Sequence, residues 1–256
     1  MARIFITGSA DGLGQLAARR LAALGHDVVL HGRNRERAQQ ALRGVPGARG
    51  ALEGDLASIQ ETRELAGQAN QAGPFDTIIH NAGVYRPGAA RRETVDGLDD
   101  VFVINALAPY LLTALIERPR RLIYLTSGLH HGGDSDLQDL QWRRRRWNGS
   151  QAYANSKLFD LALAFAVARL WPLVLSNAVD PGWVPTRMGG PSASGDLEQG
   201  VATQVWLAVS EEPGAQVTGR YFHHKQTLPA HPAASDVTFQ DAFRAACEQL
   251  TGVRLA

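Results

Sequence analysis

Tyr153 and Lys157, four residues apart, are the two side chains in this sequence best suited to acid–base chemistry. They lie in QAYANSKLFDLALAFAV, residues 151–167, a stretch whose pattern predicts a helix. Residues at positions i and i+4 share a helix face, so the ammonium should lie beside the phenol. A neighbouring positive charge favours the phenolate and lowers the tyrosine pKa towards neutrality. We therefore expect Tyr153 to serve as a general acid for carbonyl reduction, or as a base for alcohol oxidation.

The elements that must position this pair follow from an alternation of short apolar runs with amphipathic segments. This alternation predicts βαβ units and a parallel sheet. Strands are expected at 4–6, 28–30, 51–52, 77–79, 122–125, 174–179 and 219–223. Further helices are expected at 12–24, 34–42, 58–72, 94–115, 197–209 and 239–250. No change in composition marks a boundary, so the sequence predicts a single domain over residues 1–256.

Composition limits the setting and the partners. The chain has 256 residues, 45% of them hydrophobic, which is enough to form a full core. Its net charge of +1 gives no overall preference for nucleic acid. The single cysteine, Cys247, excludes an intramolecular disulfide and a cysteine-based zinc site. The N-terminus lacks a signal-peptide pattern, and no apolar stretch is long enough to span a bilayer. We expect a soluble, cytoplasmic protein without a membrane partner.

A glycine-rich turn follows the first expected strand and precedes the first expected helix, which is the context required for dinucleotide binding. Glycines let the backbone approach a pyrophosphate, and the helix N-terminus supplies amide donors. The glycine pattern alone also fits a tight structural turn, and its position favours the cofactor. The residues expected to bind cofactor here are Thr7, Gly8, Ser9, Asp11, Gly12, Leu13 and Gly14.

The end of the second strand bears on the choice between NAD and NADP. An acidic residue here would bind the ribose 2′-hydroxyl and repel a phosphate. The sequence instead has Arg33, followed by Asn34 and Arg35. Arginine suits a 2′-phosphate through its charge and its bidentate geometry. The alternative is a solvated helix start; we expect NADP (NADPH) to be preferred and NAD to bind less well.

Further sequence motifs follow the glycine turn in chain order. Together these motifs make the chain, from residue 2 to about residue 225, similar to the short-chain dehydrogenase/reductase family. Thr126-Ser127-Gly128-Leu129-His130 and Gly219-Arg220-Tyr221-Phe222 resemble its retinol-dehydrogenase and WW-domain-oxidoreductase-like branch. By this resemblance Asn105, Ser127, Tyr153 and Lys157 form a catalytic tetrad. Residues that the resemblance adds to the cofactor site are Asp55, Leu56, Asn81, Ala82, Gly83, Tyr153, Lys157, Pro181, Gly182, Val184 and Thr186.

The resemblance implies an α/β fold, a single Rossmann-type doubly wound parallel sheet of about seven strands with helices on both faces. It implies an NAD(P)-dependent oxidoreductase, NADP-preferring by the Arg33 argument, that acts on a small-molecule carbonyl or alcohol, with a substrate loop at about 184–197. Tyr85, Trp183, Met188 and the loop from Trp142 to Trp147 are placed to line an apolar pocket. The helices bearing Asn105 and Tyr153 are apolar around most of their circumference, so a helix-to-helix homodimer or homotetramer is expected.

Other functions compete with this interpretation. A catalytically idle NADP-binding regulator would require a broken tetrad, and the tetrad is intact. A sugar-nucleotide epimerase would be longer. The arginine run 143–146 between two tryptophans could bind nucleic acid, but a solvated insertion loop suits the near-neutral chain better, so no nucleic-acid partner is expected. The pairs His130-His131 and His223-His224 are not expected to bind metal, because adjacent residues on a strand point to opposite faces.

Overall fold

One twisted sheet organises the chain. The computed structural model describes residues 1–256. Its strands are β1 (Arg3–Ile6), β2 (Asp27–Gly32), β3 (Gly50–Glu53), β4 (Thr77–His80), β5 (Arg121–Leu125), β6 (Leu175–Asp180), β7 (Arg220–His223) and β8 (Gln226–Thr227). Their order is β3-β2-β1-β4-β5-β6-β7-β8, with β1 to β7 parallel and β8 antiparallel at the edge. The predicted doubly wound fold is confirmed, and β8 is an addition.

The helices match the apolar periodicity except in one region. They are α1 (Gly12–Ala23), α2 (Arg35–Gly44), α3 (Ile59–Ala72), α4 (Asp100–Phe102), α5 (Ala108–Leu115), α6 (Gly149–Leu170), α7 (Leu197–Val209), α8 (Pro232–Ser235) and α9 (Val237–Thr251). The bounds of α7 are those predicted. None of these helices combines the length and apolarity needed to cross a bilayer.

The helix predicted at 94–115 is wrong in its first part and in its continuity. It begins only at Asp100, because the Asp99 carboxylate caps it by accepting a 2.9 Å hydrogen bond from the Phe102 amide. A π-helical turn, Val103–Leu107, then separates α4 from α5. Such turns occur often at functional sites, and this one carries Asn105.

Two apolar clusters cover the two faces of the sheet. The larger joins the sheet to α3, α5, α6 and α9, and the smaller joins it to α1 and α7. The strand order reverses between β1 and β4, which carry connections in opposite directions. In sheets of this kind, ligands bind at the carboxyl ends of the strands beside that reversal. The fold therefore places the candidate site above β1, β4 and their neighbours.

The apolar surface of α6 is covered by the chain itself. Leu158, Leu161 and Leu163 are fully buried, and the ring of Phe159 stacks on that of Phe243 in α9 at 5.1 Å. These side chains are already buried within the chain, partly by α9, so they do not require a second subunit to cover them. The homodimer or homotetramer stays a prediction without that support.

Candidate functional site

A cavity of about 480 Å3 lies at the carboxyl ends of the central strands. It brings the glycine turn and the Tyr153–Lys157 pair, more than a hundred residues apart in sequence, into one space. The predicted site residues that line it are Gly8, Asp11, Gly12, Leu13, Gly14, Arg33, Asp55, Leu56, Asn81, Ala82, Gly83, Tyr153, Lys157, Pro181 and Thr186. A long ligand could thus contact both ends at once.

The glycine turn is held in shape by Asn81. The Asn81 side-chain amide donates to the carbonyl oxygens of Thr7 at 2.9 Å and Gly8 at 3.1 Å. Gly8 has a φ of +63°, and a Cβ there would lie 2.9 Å from the Ala82 Cα. A Cβ on Gly14 would lie 2.3 Å from the Asn81 amide nitrogen. These glycines are required because the loop after β4 packs directly against the turn.

Several residues that were predicted to bind the cofactor do not line the cavity. The side chains of some of them form hydrogen bonds with the surrounding backbone instead. Ser9 is fully buried and donates to the Ile6 carbonyl at 3.0 Å. The Thr7 hydroxyl accepts hydrogen bonds from the backbone amides of residues 81 and 82. Asn34 caps α2 by accepting from the Arg37 amide at 3.0 Å. Gly182 and Val184 also lie outside the cavity lining, next to Pro181, which is part of it.

His31, at the end of β2, is a site residue that the sequence did not reveal. Its ring is buried and lines the cavity. The Gly8 amide donates to Nδ1 at 2.9 Å, so Nε2 carries the proton and donates to the Gly54 carbonyl at 2.9 Å. Burial lowers the pKa of His31, so the ring stays neutral. His31 thereby ties the glycine turn to the segment that precedes Asp55.

An ion pair lies at the end of the cavity next to β2. Arg33 is exposed and lines the cavity, as predicted from the end of β2. Arg37, which the sequence did not single out, lines it as well, and its Nη2 lies 2.6 Å from the Asp11 carboxylate. The cavity end therefore offers two guanidinium groups, one of them held by an acidic residue of the turn.

The Tyr153 side chain is buried. Only 7% of the residue is exposed, and its ring packs against Tyr85 at 4.6 Å. Burial raises the pKa of Tyr153, while hydrogen bonding with the Ser127 side chain opposes this rise. The expectation that the charge of Lys157 lowers this pKa stays a prediction. The Lys157 nitrogen lies 5.9 Å from the centre of the Tyr153 ring.

The Lys157 ammonium has two other partners. It donates to the Leu125 carbonyl at 2.6 Å and lies 3.5 Å from the Asp160 carboxylate. Burial raises the pKa of Asp160, and the charge of Lys157 opposes that rise. Both side chains of this ion pair are at least nine-tenths buried.

Asn105 joins the loop after β4 to the helix that carries Tyr153. Its amide oxygen accepts from the Val84 backbone amide at 2.8 Å. Its amide nitrogen donates to the Val84 carbonyl at 2.9 Å and to the Ser156 hydroxyl at 3.0 Å. Asn105 is fully buried and does not itself line the cavity. Its side chain therefore positions the lining segment and α6 relative to each other.

Ser127 ends the segment that follows β5. Its hydroxyl accepts from the Leu129 amide at 3.2 Å and caps a 3-10 helix, Gly128–Gly132. This turn places the hydroxyl near Tyr153, where it opposes the rise in the pKa of that phenol. The insertion between these two residues loops out, as predicted, and leaves the two side chains near each other.

The insertion that contains the arginine run packs beside the tyrosine. Trp142 is 8% exposed and belongs to a small apolar cluster with Tyr153. The Arg145 guanidinium stacks over Trp142 at 4.0 Å and pairs with Asp134 at 2.9 Å. The Asp139 carboxylate accepts from three successive backbone amides, 143 to 145. These contacts give the run a structural role in holding the insertion against α6.

A second ion pair lines the cavity, and neither of its residues belongs to a sequence motif described above. Asp100, at the start of α4, is 5% exposed and lies 2.9 Å from the Nε of Arg86. Both residues line the cavity, together with Arg187 and Met188 from the predicted substrate loop. Of the residues proposed for an apolar pocket, Met188 therefore contributes to the cavity, whereas Trp183 is 59% exposed.

The histidine pairs differ from the expected strand geometry. His130 and His131 lie in the 3-10 helix, and their ring centres are 4.0 Å apart. His223 ends β7, but His224 has a φ of +47°, so the chain turns there and the rings stack at 3.8 Å. No group of three or more potential metal ligands is found in the chain.

The comparisons with known proteins agree with this geometry. Residues 2–119 match the family model described as short chain dehydrogenase. An uncharacterized oxidoreductase of Emericella nidulans is 43% identical over 257 residues, covering 99% of this chain and 98% of the relative. Retinol dehydrogenase 13 of Homo sapiens is 32% identical, covering 91% of this chain and 79% of its own length. Both the family and the branch inferred from the motifs are confirmed.

Solved structures are similar as well. An uncharacterized protein from Mycobacterium paratuberculosis superposes with a TM-score of 0.86 at 26% identity, covering 100% of this chain and 95% of that one. A blue fluorescent protein from a metagenomic library, solved in complex with NADPH, superposes with a TM-score of 0.70 at 25% identity. That match covers 87% of this chain and 95% of the other.

Proposed function

Because the chain belongs to the short-chain dehydrogenase family, an oxidoreductase family that binds NAD(P), we propose that it prefers NADP and transfers hydride between the nicotinamide and a carbonyl or alcohol, with Tyr153 as the acid or base. One observation carries this proposal. A single cavity is lined by the glycine turn at one end and by Tyr153 and Lys157 at the other.

The residues present fit a dinucleotide with a 2′-phosphate. The turn at Gly8 and Gly14 leaves the backbone bare of Cβ atoms where a pyrophosphate would approach. Arg33 and Arg37 supply planar, permanently charged donors, and no acidic residue ends β2. Asp11 pairs with Arg37 at 2.6 Å and competes with a phosphate for that guanidinium. These donors support the preference for NADP.

Side chains of this protein donate or accept the proton in the proposed reaction. A nicotinamide cofactor, when bound, supplies or accepts the hydride. Tyr153 donates its proton to the developing alkoxide in reduction, and its raised pKa keeps the phenol in the form that can donate. Ser127 hydrogen-bonds at the same point and stabilises the oxyanion. Lys157 holds a positive charge in a buried position near the phenol, and Asn105 fixes the backbone beside it.

We infer a small-molecule substrate that enters beside the loop 184–197. Arg187 and Met188 of this loop already line the cavity. The loop is small and polar between Gly189 and Gly195, a composition that favours opening and closing over a bound substrate.

The experiment that tests the proposal measures consumption of NADPH and of NADH by the purified protein with a panel of aldehydes, ketones and quinones. Tyr153→Phe removes only the phenolic hydroxyl, and Tyr110→Phe is the matched control at a tyrosine outside the cavity. We expect Tyr153→Phe to lower kcat by at least ~100-fold while NADPH binding persists. Equal turnover by Tyr153→Phe and the parent would refute the role of Tyr153.

A further inference from the structure

A fully buried histidine hydrogen-bonds to the backbone of Ser127. His130 lies in the 3-10 helix Gly128–Gly132 that Ser127 caps, and it is 0% exposed. Its Nδ1 lies 2.7 Å from the Ser127 carbonyl oxygen, and the backbone amide of His231 donates to its Nε2 at 3.2 Å. The mechanism described above gives His130 no part.

These two contacts fix which ring nitrogen of His130 carries the proton. A backbone amide can only donate, so Nε2 is an acceptor and the proton lies on Nδ1. Nδ1 therefore donates to the Ser127 carbonyl. Burial lowers the pKa of His130 to about 4, so the ring is neutral at physiological pH. The arrangement is the reverse of that at His31, where Nε2 carries the proton.

Ser127 is held by hydrogen bonds at both its carbonyl and its hydroxyl. The carbonyl accepts from the His130 backbone amide at 2.9 Å as well as from the His130 ring at 2.7 Å. The hydroxyl oxygen accepts from the Leu129 amide at 3.2 Å. An amide proton thus occupies one side of that oxygen, so the proton of the hydroxyl is directed elsewhere and is available to a substrate oxygen.

The contacts of the imidazole also connect Ser127 to the C-terminal part of the chain. The amide that donates to Nε2 belongs to His231, which lies 101 residues further along and immediately precedes α8. The ring of Tyr221 in β7 packs edge-on against His130, with 4.7 Å between the ring centres. The His130 ring is therefore held at both nitrogens and by a neighbouring aromatic side chain, which leaves it a single orientation.

We propose that His130 is a positioning residue for Ser127, because its Nδ1 proton holds the Ser127 carbonyl and thereby fixes the direction in which the hydroxyl donates to the substrate oxygen. The inference rests on the proposed function, since it takes Ser127 as the group that stabilises the oxyanion. It goes beyond that function by assigning a part in the reaction to a residue that does not line the cavity.

The first test reads the tautomer and needs no turnover. NMR spectra of protein with isotopically labelled histidine ring nitrogens are recorded near neutral pH, and His130→Asn identifies the signals of residue 130. We expect a neutral His130 with its proton on Nδ1. A proton on Nε2, or an average of the two tautomers, would overturn the proposal. This reading stands even if no compound in the panel is reduced, so failure of the proposed function is recognised separately.

The second test separates the two ring nitrogens. The side-chain amide of Asn can place a donor where Nδ1 lies, whereas that of Gln reaches only the position of Nε2. We expect His130→Gln to lower kcat for carbonyl reduction by about 10- to 100-fold and to leave the Kd of NADPH nearly unchanged, because the serine hydroxyl is misdirected. His130→Asn should recover most of that loss. Equal losses in both variants, or an undiminished kcat in His130→Gln, would overturn the proposal.

The third test determines whether His130 acts through Ser127. In Ser127→Ala the hydroxyl is absent, so adding His130→Gln should cause no further loss of kcat. Losses that multiply would mean that His130 supports the fold or another group, and they would overturn the proposal. His131→Gln is the matched control, because His131 is an exposed histidine in the same 3-10 helix, and it should change kcat little.

If His130→Gln does not fold, the tautomer of the parent protein decides alone, because it shows whether the Nδ1 donor to Ser127 exists. Circular dichroism and NADPH binding identify that case before kinetics are measured.

Discussion

Replacing Arg33 by alanine should weaken NADPH binding and leave NADH binding unchanged. The two cofactors differ only in the 2′-phosphate, so NADH is an internal control for every other contact. Arg33 lines the cavity at the end of β2, beside the Arg37–Asp11 ion pair. Its guanidinium has no carboxylate partner in the protein, so its charge is available to a phosphate.

The magnitude follows from exposure. A hydrogen bond to a charged group contributes ~1.5–3 kcal/mol, and a fully exposed ion pair contributes ~0.2–1 kcal/mol. Because Arg33 is exposed on one side and borders the cavity on the other, we expect a loss of ~1–2 kcal/mol, which corresponds to about a 5- to 30-fold rise in the Kd of NADPH.

Fluorescence titration of both cofactors at fixed ionic strength measures this effect. Arg35→Ala is the matched control, since Arg35 is an exposed arginine two residues further on that does not line the cavity. Asp11→Asn should tighten NADPH binding a few-fold, because it frees Arg37 from its 2.6 Å ion pair. An equal loss of NADH and NADPH affinity in Arg33→Ala would refute the reasoning, as would tighter binding of NADH than NADPH by the parent protein.

Two predictions concern the scaffold. Gly14→Ala should abolish tight binding of either cofactor and lower the Tm, because the added Cβ would lie 2.3 Å from the side-chain amide nitrogen of Asn81. Gly50→Ala is the control, since no atom lies within 4 Å of the Cβ that it adds. Equal Tm values for the two variants would contradict this prediction. Phe243→Ala should reduce the free energy of unfolding in urea by ~3–5 kcal/mol, since the ring is fully buried against α6. Val237→Ala, at a position 47% exposed in the same helix, should change it little, and similar losses in both variants would argue against α9 as a cover for α6.

Much of the fold follows from local pattern. Apolar runs bounded by turns predict the parallel strands, and the helix at Leu197–Val209 has the bounds expected from periodicity. The π-helical turn at Asn105 escaped prediction, because it inserts into an otherwise helical pattern without proline or glycine.

What covers an apolar helix could not be predicted from the helix alone. The residues of α6 are apolar on several faces, and the sequence does not distinguish cover by a second subunit from cover by a distant segment of the same chain. The structure places α9, about eighty residues later, on Phe159.

The residues of the candidate site were likewise predictable only in part. Motif positions such as Asn81 and Gly14 were predictable because backbone geometry restricts the residue type. Arg37 and His31 were not, since their partners lie 26 and 23 residues away along the chain. Helix spacing predicted that Lys157 neighbours Tyr153, but it could not reveal the burial of the phenol or the Asp160 carboxylate beside the lysine.

The most direct test of the central claim follows the hydride and the proton donor together. NADPH carrying deuterium at the transferable position of the nicotinamide is turned over with a carbonyl compound from the panel, and the alcohol is analysed by mass spectrometry. We expect one deuterium on the carbinol carbon, and an alcohol formed at least ~100-fold more slowly by Tyr153→Phe at equal occupancy of the cofactor. An alcohol without deuterium, or an undiminished rate in Tyr153→Phe, would contradict it.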